Sequence, residues 1–178
     1  MKVLKMNEQE YINQHIKNTC DLAIQHIKNV MLFQKNINRS LGWHSRFIEN
    51  LFHPENILIL KGYSRTIFDD QHQASGSSKK WKEHIVPMTY LLNELWFLIE
   101  ENKLSDIELS NILYKNLGVA YISYDEAKKI DSNLFGLKTK MPNDWNLLKD
   151  DPLDRLKAVG IILVNDQGQE INTLKTSI

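Results

Sequence analysis

Residues 8–35 place Ile12, Ile16, Cys20, Ala23, Ile27, Val30 and Met31 at helical spacing on a polar background. That pattern predicts one long amphipathic helix with a single apolar stripe. Asn7 with Glu10 makes a capping box at its start. Cys20 sits in the stripe and reads as a small core residue. His15 and His26 lie on the same helix, three turns apart. Eleven residues rise about 16 Å, too far for the two to share one metal ion.

Further elements follow from local signals. Trp43, Phe47 and Leu51 predict a helix over 40–52, closed by His53-Pro54. Ile57–Leu60 reads as a short strand. Residues 64–80 are polar and end in Ser75-Gly76-Ser77-Ser78, a loop signal. Residues 85–101 predict a strongly apolar, central helix with Pro87 in its first turn. Ser105 with Glu108 caps a helix ending at Gly118, and Val119–Ile122 reads as a strand. Ser123 with Glu126 caps a short helix to about Asp131. Residues 132–150 read as irregular, with Met141, Trp145 and Leu147 in the core. Asp151-Pro152 predicts a helix start, Gly160 its end, and Ile161–Val164 a last strand. Asp166-Gln167-Gly168 can turn that strand back through Glu170-Ile171.

Helices dominate, and strands alternate with them too poorly for a doubly wound sheet. The expected fold is a mostly helical α+β single domain, 1–178, with a small mixed or antiparallel sheet. Within it we expect a helical part at about 1–53, a mobile polar loop at about 64–80 and an α+β part at about 81–172.

Composition narrows the function. The chain has 178 residues, 42% of them hydrophobic, with 22 basic and 22 acidic side chains. That excludes collagen-like and low-complexity classes and gives no whole-molecule attraction to nucleic acid or anionic membrane. The charge is uneven: residues 1–50 carry seven Lys+Arg and four acids, residues 91–150 seven and ten. One cysteine permits neither an internal disulfide nor a four-cysteine zinc site. The N-terminus shows no signal-peptide pattern and no stretch spans a bilayer, so the expectation is a cytoplasmic protein without membrane contact.

Chemistry-bearing residues concentrate between 39 and 84. Three of the four arginines, Arg39, Arg46 and Arg65, fall there, and no histidine follows His84. Arg39, Trp43 and Arg46 share a helix face, where basic groups beside an aromatic suit phosphate contact and base stacking. Arg65, Asp69, Asp70, His72, Ser75, Lys79, Lys80 and His84 form a polar cluster of the kind a phosphodiester site uses. Asp125-Glu126 and Asp150, Asp151 and Asp154 are accounted for as helix-start residues. Phosphate-loop, dinucleotide-binding, serine-hydrolase, zincin and EF-hand motifs are absent.

The segment Trp81-Lys82-Glu83-His84-Ile85-Val86-Pro87 resembles the first motif of HNH, or ββα-metal, nucleases. The resemblance implies His84 as general base and Glu83 as metal ligand, with magnesium or manganese as the ion. His72 would join the catalytic set, and Asp69 and Asp70 the metal set. The helix expected to begin at Pro87 places His84 at a helix N-terminus.

Two function classes therefore stand side by side. The first is a non-catalytic interaction protein without cofactor, of the mobile-element or phage inhibitor type, docking on a nucleic-acid-processing machine. Arg39, Trp43, Arg46, Arg65, Lys79 and Lys80 would contact a protein partner or nucleic acid. The second is a small metal-dependent phosphodiesterase or nuclease centred on His84.

Overall fold

A computed structural model of the chain describes residues 7–38, 48, 50–52, 59–71 and 79–171. The chain is an α+β protein in which helices dominate and a small mixed sheet completes the fold. Its residues group into two compact units, one from 1–59 and 92–115, the other from 60–91 and 116–178.

In the first unit, α1 runs over Glu8–Ile37 and starts with the reciprocal Asn7–Glu10 capping box. It ends at Asn38, whose φ of 50° is the left-handed C-terminal conformation that Asn tolerates. Ile16, Thr19, Cys20, Ala23, Ile24 and Ile27 are its buried stripe. Thr19 is tolerated there because its hydroxyl donates to the His15 carbonyl one turn back, at 2.9 Å. His15 is exposed and His26 half-buried. The helix expected at 40–52 lies largely outside the described residues, of which 48, 50 and 51 are helical.

Helix α3 (Met88–Glu101) and helix α4 (Asp106–Asn116) bring Leu92, Leu95, Leu109 and Leu113 into the core. Ser105 caps α4: its N–H and hydroxyl both donate to Glu108 at 2.7 Å. Lys28 and Gln25 of α1 donate to the Asp106 carboxylate at the start of α4. The Lys28 bond, then the Gln25 bond, hold this carboxyl below the usual carboxylate range. A depressed folded-state value stabilises the fold above the ordinary carboxylate pKa, and that stability is lost as pH falls through the depressed value. Asp106→Asn is therefore expected to lower stability at neutral pH and to converge on wild type in strong acid. The carboxylate is nearly half exposed, so the effect is small. Urea unfolding across pH would show it, and equal destabilisation at every pH would refute it.

Among the described residues, the second unit is built on four strands: β1 (Leu60–Ser64), β2 (Lys80–His84), β3 (Val119–Ser123) and β4 (Leu163–Val164), in the order β2-β3-β1-β4. β1 and β3 are parallel; the outer pairs are antiparallel. Helix α2 (Arg65–Gln71) packs on β1, β3 and β4, and helix α5 (Tyr124–Asp131) on β2 and β3. Helix α6 (Asp154–Ala158) precedes β4.

Several expectations are corrected here. The polar segment 64–80 is not a loop in its described parts: 65–71 is α2 and Lys80 opens β2. Ser64 starts α2, its hydroxyl accepting from the Ile67 N–H at 3.3 Å, and Ile67 is buried. The expected strand 57–60 is displaced, β1 beginning at Leu60. The central helix starts at Met88, after Pro87, so His84 ends a strand rather than standing at a helix N-terminus. The helix expected from Asp151 starts at Asp154, because Asp151 instead accepts from the Leu153 N–H two residues on, at 2.9 Å. The last strand is confined to Leu163–Val164, and the expected turn-back is present as a Val164–Glu170 bridge.

Glu126 knots these elements together. Its carboxylate accepts from the Ser123 N–H and Ser64 hydroxyl at 2.7 Å each, and from the Thr66 hydroxyl at 3.0 Å. One residue thus caps α5 and ties it to β1 and α2.

Candidate functional site

The site grows from Arg155, a buried arginine with 1% of its surface exposed. Its Nε donates to the Leu137 carbonyl at 2.8 Å, and its Nη2 to the Lys138 carbonyl at 3.1 Å. Its Nη1 donates to the His84 carbonyl at 2.7 Å and lies 2.7 Å from Glu83 Oε1. A buried cation is tolerated only when its donors are met in this way.

Glu83 carries the order outward. Its second oxygen, Oε2, accepts from the Trp81 indole N–H at 3.1 Å. Trp81 is 42% exposed, and its ring centroid lies 5.9 Å from that of Tyr124, also 42% exposed. Lys128 Nζ sits 4.3 Å from the Tyr124 ring centroid and Lys79 Nζ 5.6 Å from it, both within cation–π range. The Tyr124 N–H donates to the Lys79 carbonyl at 3.2 Å, which fixes Lys79 beside the start of α5. Lys80 pairs with Ser123 and is exposed. The result is an exposed aromatic pair flanked by Lys79 and Lys128, with Trp81 held through Glu83 by buried Arg155; Lys80, next to Trp81 on β2, falls on the opposite face of the strand.

The residues expected from the sequence are distributed as follows. Arg39, Trp43, Arg46 and His72 lie outside the described residues. Glu83 and His84 meet at Arg155, His84 through its carbonyl. Asp69 and Asp70 lie on α2, where Asp69 is exposed and Asp70 half-buried. Arg65 opens α2 and points to the β4 turn, donating to the Gly168 carbonyl at 2.9 Å, with Glu170 at 3.7 Å. Lys79 joins the aromatic cluster, and exposed Lys80 falls on the opposite face of β2 from Trp81. Among the described residues no three His, Cys, Asp or Glu side chains converge as a metal-holding group, so Glu83, Asp69 and Asp70 do not meet as one. The donor set fits a divalent ion poorly, since Glu83 already serves Arg155 and Trp81.

Arg155, Tyr124 and Lys128 were not among the expected site residues. Tyr124 and Lys128 carried a signal: they stand four apart just after the Ser123 cap, on one face of a helix. Arg155 carried none, because its acceptors come from two distant segments, 83–84 and 137–138.

Comparison with protein-family models, with curated proteins and with solved structures finds no match to this chain. Among the described residues, no helix is long and apolar enough to cross a membrane.

Proposed function

We propose that the chain is a non-catalytic interaction protein, of the inhibitor or regulator type, that docks on a nucleic-acid-processing machine. The observation that carries this reading is the state of Glu83. The carboxylate that a metal-dependent nuclease would need as a ligand is bound on one oxygen by buried Arg155 and on the other by Trp81. Releasing it to a metal would leave the Arg155 cation buried without its counter-charge, a loss of about 3–5 kcal/mol. What faces water beside it suits a contact surface: Trp81, Tyr124, Lys79 and Lys128.

The test incubates wild type and His84→Ala with single- and double-stranded DNA and RNA, with and without magnesium or manganese. No cleavage is expected under any condition, together with retention of a nucleic-acid-processing complex on the immobilised chain. Metal-dependent cleavage by wild type, lost in a folded His84→Ala variant, would sink the proposal and establish the nuclease.

A further inference from the structure

We infer that the cluster of Lys79, Trp81, Tyr124 and Lys128 binds single-stranded nucleic acid, its bases stacked on exposed ring surface and its phosphates on the lysines. The inference deepens the interaction reading and rests on it.

Three features carry it. The first is exposure. Trp81 and Tyr124 each leave 42% of their surface in water. The rings are 5.9 Å apart and tilted by 55° to one another, so each offers its own exposed surface on which any base can stack, Trp81 foremost because Lys128 already lies over the Tyr124 ring. The second is charge. Lys79 and Lys128 stand within 6 Å of the Tyr124 ring, so two cations flank the rings at the reach of a phosphodiester. Asp125 lies 3.5 Å from Lys128 Nζ and tempers that one charge. The Glu83 charge is met by Arg155.

The third feature is preorganisation. The Trp81 indole is pinned through Glu83 to a buried guanidinium held by three carbonyls. A ring fixed before binding loses little side-chain freedom when a base lands on it. Stacking on such rings is indifferent to base identity, so recognition is of strandedness rather than sequence. A duplex hides its base faces and offers the platform only phosphates.

The experiment measures fluorescence anisotropy of labelled oligothymidylate and oligouridylate, each about 12 nucleotides long, titrated with the full chain. A duplex of equal length is the competitor, circular dichroism checks folding, and a gel checks that the oligonucleotide stays intact. Wild type is expected to bind the single strands more tightly than the duplex. Trp81→Ala should weaken binding about tenfold or more, and Trp81→Phe should recover most of it. Replacing Lys79 and Lys128 together by Ala should reduce the slope of log affinity against log salt by about 1.4. Absence of binding with intact oligonucleotide would overturn the inference and leave the non-catalytic reading standing. Equal affinity for duplex, or binding unchanged in folded Trp81→Ala, would also overturn it. Cleavage of the probe would instead overturn the non-catalytic reading.

Discussion

Arg155→Ala is expected to destabilise the protein by about 3–5 kcal/mol, the cost typical of removing one partner from a buried ion pair. The variant leaves the Glu83 carboxylate beside the carbonyls of His84, Leu137 and Lys138, all acceptors with the shared donor gone. It also deletes the aliphatic stem that fills the space between β2, the 137–138 segment and α6. The midpoint of urea unfolding reports the loss. Near-ultraviolet circular dichroism should change as well, because Trp81 is no longer fixed through Glu83. The double variant Arg155→Met with Glu83→Gln should recover part of the stability, since it removes the buried charge along with its partner. A single-variant loss below about 1 kcal/mol would show that the network is not a stability determinant.

Gly62→Ala is the second large effect. Gly62 has φ of 153° and stands where β1 shifts register against β3. A Cβ there would lie 2.5 Å from the Val164 carbonyl oxygen and 2.5 Å from Ile171 Cδ1. The Ile171 methyl can move; the strand carbonyl can move only if β1 and β4 part. Backbone strain of about 1–3 kcal/mol and a packing displacement of similar size add to an expected loss of about 2–5 kcal/mol. Gly136→Ala is the control. Its φ is 62°, but a Cβ there meets nothing within 4 Å, so strain alone acts and about 1 kcal/mol is lost. Equal losses at both positions in urea unfolding would refute the steric account at Gly62.

The sequence made legible whatever closes within one or two turns. The boxes at Asn7–Glu10, Ser105–Glu108 and Ser123–Glu126 mark their helix starts, because both partners lie three residues apart. The stripe of α1 and the buried Met141, Trp145 and Leu147 follow from apolar spacing. Elements held from a distance were missed. Segment 65–71 reads as polar loop; it is a helix because Ser64 caps it, Ile67 is buried and Glu126, sixty residues on, binds Thr66 and Ser64. Strand β2 has exposed Lys80, Trp81 and Lys82, so no alternation betrays it; pairing with β3 defines it. The site was half visible. Lys79, Lys80 and the Trp81–Pro87 segment drew attention for their chemistry, but the role of Glu83 depends on Arg155, which only the fold brings beside it.

The order β2-β3-β1-β4 has a consequence for biosynthesis. β1 is the first of the four strands to leave the ribosome, yet both of its neighbours, β3 and β4, are translated later. At about 5–20 residues per second, the nascent chain carries β1 with two open edges for several seconds. Its partner on one side, Leu163–Val164, is almost the last described segment to appear. Sheet completion is therefore a late event that cannot proceed from the N-terminus forward. A chain stopped by a nonsense codon before Leu163 would keep one edge of β1 open, a template for intermolecular pairing that chaperones or proteases must clear.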